Sequence, residues 1–192
     1  VLITGWTPAA DVDRLEKELN RVSRTATLLA VAPEEGEAFP VALENGPLVE
    51  PFEAVTNLYS TPNHREIDPT PALAPFFFVF FGIALGDAGY GILLTILSLF
   101  LLKKLQPKGM GEQLLKVLAL GGLATIGFGI LSGGWFGDLL PIPPLWFNPV
   151  EDPMKMLIVS LILGVIHLYT GMGIQAYRSI KDGKALDALF DQ

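Results

Sequence analysis

The sequence predicts a mainly α-helical integral membrane protein, a polytopic helix bundle preceded by a small α/β piece of a cytoplasmic domain. Three observations carry this expectation. Hydrophobic residues make up 51% of the chain and mean hydropathy is +0.46, on the apolar side of ordinary soluble domains. The acidic charge gathers in residues 1–71, whereas residues 72–178 hold long stretches nearly free of charge. Each of those stretches approaches or exceeds the roughly 20 apolar residues that cross a bilayer as a helix.

Residues 1–32 read as strand, helix, strand. Val1 to Trp6 forms the first apolar run. Pro8 stands near a helix start, and Val12, Leu15, Leu19 and Val22 then recur at three- and four-residue steps, the spacing of one helix face. Ala26 to Val31 is the second strand, stopped by Pro33. This is the C-terminal part of an α/β lobe. The chain starts at Val1 without an initiator Met or a signal-peptide pattern, which predicts a piece cut from something larger. Residues 33–71, rich in Pro, Glu and Asn, form a linker and membrane-entry elbow, with a short helical candidate around Phe52 to Tyr59.

Asp68-Pro69-Thr70-Pro71 is a helix-start signal. Thr70 can cap free N–H groups, and Pro71 takes the first helical position, where its missing donor costs nothing. From Ala72 to Leu102 only Asp87 is charged, and that stretch is too long for one simple span. It predicts a hairpin with legs 72–86 and 90–105, followed by a span over 112–137 and another over 155–178. Residues 179–192 begin the next cytoplasmic loop. Lys103, Lys104, Lys108 and Lys116 flank the loop before the second long stretch, and Arg178, Lys181 and Lys184 follow the last. The positive-inside rule makes those ends cytoplasmic and the Pro141 to Pro149 loop external. With residues 1–71 also cytoplasmic, an even number of crossings must precede Lys103. A hairpin supplies it and a single tilted helix does not.

The net charge of −7 gives no case for nucleic-acid binding, which needs clustered Lys and Arg against phosphates. Zero cysteines exclude disulfides, zinc–thiolate clusters and thiol catalysis. No catalytic residue, cofactor or metal site is expected.

Several blocks stand in fixed order: Pro51-Phe52-Glu53, Tyr59, Glu66-Ile67-Asp68-Pro69-Thr70-Pro71, Phe80-Phe81-Gly82, and Gly86-Asp87-Ala88-Gly89-Tyr90-Gly91. Gly134-Trp135-Phe136-Gly137-Asp138, Phe147-Asn148-Pro149 and Gly164-Val165-Ile166-His167 come after them, and Thr4-Gly5-Trp6-Thr7-Pro8 precedes them. Together they resemble the membrane stator subunit (subunit a or I) of V/A-type rotary ATPases, over nearly the whole chain. The resemblance implies a non-catalytic subunit that helps translocate protons or sodium ions against a proteolipid ring and anchors the stator. Its implied partners are the proteolipid ring, peripheral stalk subunits, the central-stalk cap subunit and the lipid bilayer. It implies a multi-pass membrane protein with its N-terminal part cytoplasmic, and the short loops resemble prokaryotic members. The family's essential arginine belongs to later, tilted helices whose positions do not occur here. In the membrane stretches no arginine precedes Arg178, so this segment is expected to be mainly structural.

The polar residues of the membrane part each carry two readings. Asp87 is either a proton relay, the default for an intramembrane acid, or a turn residue whose carboxylate caps the second leg. Asp138 is interfacial or marks external ion entry. His167, in mid-span, packs across helices or lines a half-channel. Glu66, Asp68 and Thr70 fix the membrane-entry elbow, or the two acids meet a rotor or stalk partner. Gly121, Thr125, Gly129 and Gly133 recur every four residues as a ridge for close helix approach, and Gly164, His167 and Gly171 share a face. Two other classes compete. A secondary transporter would have broken helices around a midplane site, but no second broken repeat is present. An intramembrane enzyme would pair Asp87 with Asp138, but no nucleophile accompanies them.

Overall fold

The computed structural model describes residues 2–23, 25–33, 37, 39–63, 66–137, 139–181 and 183. The chain divides into two units, Val1–Leu43 and Glu44–Gln192.

In the first unit a 3-10 turn, Ala9–Asp11, leads into helix α1, Val12–Val22. Trp6 and Phe39 bring their ring centroids to 6.0 Å. The expected α/β piece is not present: among the described residues there is no strand. The reason is pairing. Alternating apolar residues become a strand only beside a second strand that takes up their N–H and C=O groups, and neither segment finds one. Leu2, Ile3, Leu29 and Val31 all stay exposed.

In the second unit the backbone turns at Gly46, whose carbonyl accepts Val49 N and Glu50 N. The 3-10 turn Glu50–Phe52 then runs into α2, Glu53–Tyr59. Helix α3, Thr70–Leu85, begins one residue earlier than expected: Thr70 is its first residue rather than its cap, because its hydroxyl goes to Asp68, and Pro71 comes second. The helix ends at Gly86, whose φ of 61° only glycine adopts freely. Helix α4, Ala88–Leu105, comes directly after it, and α5 covers Met110–Ser132 and α6 Pro153–Lys181. Helices α4, α5 and α6 are long and apolar enough to cross a membrane, and α3 is a shorter apolar helix. With 16 residues, α3 rises about 24 Å at 1.5 Å per residue. The chain is a helical integral membrane protein.

Helices α4 and α5 pack antiparallel at very short range, because glycine leaves the backbones room. A Cβ on Gly91 would stand 2.8 Å from the Gly122 carbonyl oxygen, and one on Gly82 of α3 would stand 2.7 Å from that of Ala124. Gly121 lies under the Phe81 ring, and Gly129 lies against the backbone of Asp87 and Ala88. Thr125, fully buried, returns its hydroxyl to the Gly121 carbonyl at 2.8 Å. The ridge is therefore filled by α3 at Gly121, by the start of α4 at Gly129, and at Gly133 by Ile142 and Pro144 of the loop. On α6 the small residues behave differently: a Cβ on Gly164 or Gly171 would meet nothing within 4 Å.

At the other end of the bundle, α2 lies against α3 and α5. Phe52, Val55, Ala74 and Val117 form its buried core, edged by Val49, Leu73, Phe77 and Leu120. Burying a phenylalanine such as Phe52, 3% exposed, stabilises by about 2–3 kcal/mol.

Candidate functional site

Two polar sites sit at opposite ends of the helices. The first is built on Asp87. Once Gly86 ends α3, Asp87 takes an extended backbone (φ −134°, ψ 117°) and becomes the N-cap of α4. Its Oδ1 accepts Tyr90 N and Phe136 N, each at 3.0 Å, and its Oδ2 accepts Gly137 N at 2.7 Å. Around it Ala88 N donates to the Gly134 carbonyl at 2.9 Å, and the Ser132 hydroxyl donates to the Gly86 carbonyl at 3.1 Å. Tyr90 stands edge-on to Phe136, which covers Gly89 so closely that a Cβ there would clash with the ring. Asp87 is 7% exposed. Its charge is balanced by backbone N–H groups and the positive end of α4. A carboxylate whose oxygens are already engaged by fixed N–H donors is suited to holding a turn.

Asp138, the next acid along the loop, lies outside the described residues, and so does any pairing of it with Asp87. The loop itself folds back: Trp146 N donates to the Leu131 carbonyl at 2.9 Å, and Phe147 is buried.

The second site is the elbow. Asp68 Oδ1 accepts both Thr70 N at 2.8 Å and the Thr70 hydroxyl at 2.5 Å. The Thr70 and Thr56 hydroxyls lie 2.9 Å apart and both residues are buried. Thr70 has one hydroxyl proton and gives it to Asp68, so Thr56 is the donor in that pair. Asp68 Oδ2 accepts Asn45 Nδ2 at 2.6 Å, and the same amide donates to Glu53 Oε1 at 2.9 Å. Gln113 of α5 reaches the other oxygen of Glu53 at 3.2 Å. Beside it Lys116 bridges Glu112 at 2.9 Å and Glu50 at 3.3 Å. Glu66 accepts Asn63 N at 3.0 Å and faces Arg178 of α6 at 3.8 Å.

The structure thus gathers Asp68 and Thr70 into one network and leaves Glu66 in a separate contact with α6. Sequence reasoning missed Asn45, Glu53, Thr56 and Gln113 as members. A polar residue beside an apolar run was the only available signal, as at Glu53 after Pro51-Phe52.

His167 stands on α6 facing α3. Its ring is 4.6 Å from Phe76 at 33°, and 5.5 Å from Phe80 at 67°. Toward the loop, α3, α5 and α6 leave an apolar cavity of about 410 Å³ walled by Phe78, Ile83, Phe128, Trp146, Val159 and Ile162. Among the described residues no group of three or more His, Cys, Asp or Glu side chains is arranged to hold a metal ion.

With this geometry in view, known proteins are informative. The profile of the V-type ATPase 116kDa subunit family matches residues 1–119. The A-type ATP synthase subunit I of Methanocaldococcus jannaschii is 32% identical over 99% of this chain and 32% of its own length. That of Thermococcus kodakarensis is 31% identical over 99% of this chain and 31% of its own length. That of Archaeoglobus fulgidus is 34% identical over 72% of the chain and 20% of its own length. The chain spans about a third or less of these curated relatives.

Proposed function

The chain belongs to the V-type ATPase 116kDa subunit family, and from that membership we propose that it is the joining segment of a membrane stator subunit. It links a cytoplasmic arm to the membrane bundle of an A/V-type ATPase. The subunit is non-catalytic and supports proton or sodium movement against a proteolipid ring, while the arm meets the stalk subunits. Residues before Thr70 are cytoplasmic, α3 and α4 cross out and back, and α5 and α6 do the same, in a prokaryotic plasma membrane.

Within that subunit this segment works as scaffold. The observation that carries the reading is the bonding of Asp87, the one charged residue between Ala72 and Leu102, to three backbone N–H groups from two different turns. A relay carboxylate must release and receive protons, and these fixed donors favour one ionised, immobile state. The absence of arginine from α3, α4 and α5 fits the same role. Glu66, Asp68 and Thr70 hold the elbow, and Glu53 and Asn45 extend it.

The test is Asp87→Asn in the full-length subunit, with ion transport measured per assembled complex. A scaffold predicts normal transport by whatever complex assembles. Full assembly with transport lost would return Asp87 to the ion path.

A further inference from the structure

Among its described residues α6 has none that is buried, so the few side chains that hold it matter more than in α4 or α5. On α3, Phe76 and Phe80 lie one turn apart on one face, and the His167 ring sits tilted by 33° against the first and edge-on to the second. The edge-on contact is an arrangement that aromatic rings prefer, and both centroid distances lie in the range of aromatic contact. Among the described residues, the two helices that meet at this ring bring no acid to it. Helix α3 carries no titratable side chain, and α6 has no acid along Pro153–Lys181. The acid of α5 is Glu112, in its first turn and paired with Lys116. The cations of α6 are Lys155, Arg178 and Lys181, the nearest of them eleven residues from His167, about 16 Å along the helix. A relay needs a donor and an acceptor within hydrogen-bond reach.

We propose that His167 is a positioning residue, an aromatic ring that seats α6 on α3 and closes the seam at the end of the apolar cavity opposite the loop. The cavity walls Ile83 and Val159 lie on the loop side of these rings, so the ring contact sets how far the two helices diverge. This deepens the stator reading, on which it rests, because the ring contact fixes the tilt of α6 against α3.

The experiment compares His167→Phe with His167→Ala in the full-length subunit within its assembled complex. His167→Phe keeps a ring and removes the titratable group, so assembly, ion transport per complex and its pH profile stay within about twofold of wild type. His167→Ala lowers the assembled amount several-fold. Loss of transport by about 100-fold in His167→Phe, the scale of a lost proton-transfer group, would overturn the proposal, as would a shifted pH profile. Normal assembly and transport in His167→Ala would overturn it too. A second measurement does not depend on transport and leaves both rings in place: Ile83→Cys with Val159→Cys, the cavity walls contributed by α3 and α6, joined in membranes by a short bifunctional thiol reagent. This chain has no cysteine of its own. Efficient joining supports the seam and its absence overturns it, whereas failure of the wild-type subunit to assemble with a rotary complex would defeat the stator reading alone.

Discussion

Gly137 N donates to the Asp87 carboxylate at 2.7 Å across fifty residues of sequence, so the turn between α3 and α4 is fastened to the turn after α5. Asp87→Ala removes the acceptor for three backbone N–H groups at once. An unpaired buried donor costs about 1–3 kcal/mol and a lost N-cap about 1. A net loss of roughly 2–4 kcal/mol is expected, with Asp87→Asn losing less because its amide oxygen still accepts. Thermal unfolding of the purified subunit in detergent measures both. An Asp87→Ala protein as stable as wild type would sink the fastening.

Two glycines of α5 make a controlled pair. A Cβ on Gly129 would stand 2.6 Å from the Asp87 carbonyl carbon, whereas one on Gly127 would meet nothing within 4 Å. Gly129→Ala must push α4 away and should cost about 1–3 kcal/mol. Gly127→Ala should fall within about 0.5 kcal/mol of wild type. Equal effects in the same unfolding assay would mean that the α4–α5 contact is looser than 2.6 Å implies.

At the elbow, Thr70→Val preserves shape and removes the hydroxyl that donates to Asp68 and accepts from Thr56. It leaves the Thr56 hydroxyl buried without an acceptor, at about 1–3 kcal/mol. Adding Thr56→Val removes the orphan. The double variant should therefore be more stable than the sum of the single effects predicts, with a coupling of about 0.5–2 kcal/mol. Strict additivity would show that the two hydroxyls act independently.

The helices were legible because their signals are local. Pro71 stands in the first turn of α3, one position later than expected because Thr70 begins the helix, Gly86 closes it, and Asp87 caps α4. The elbow network was not legible, because Gln113 and Glu53 are sixty residues apart and Asn45 and Asp68 twenty-three. No periodicity links a polar side chain to a partner at that distance. The strand expectation at Ala26 to Val31 failed for the opposite reason. A β pattern is local, but its hydrogen-bond partners are not, and among the described residues no strand stands beside it. For Asp87 the sequence left relay and cap both open, and only the fold brings Phe136 N and Gly137 N to its second side.

The sidedness of the bundle is the proposal most open to direct measurement. The Asp87–Gly137 bond requires the α3–α4 turn and the loop after α5 to share one side, whichever way the bundle is inserted. Tyr90, half exposed, and Leu139, 74% exposed, report that side, while Lys108 reports the turn between α4 and α5. Tyr90→Cys and Leu139→Cys should react with a membrane-impermeant thiol reagent added outside intact cells. Lys108→Cys should react only after the membrane is opened, since the proposed orientation puts Lys103, Lys104 and Lys108 on the cytoplasmic face. If positions 90 and 139 label from opposite sides, the two turns cannot be bonded. If both label with 108 from outside, α4 does not cross. Joint labelling of 90 and 139 from the cytoplasm alone would invert the bundle while leaving the Asp87 clamp intact, so the experiment reads fold and orientation separately.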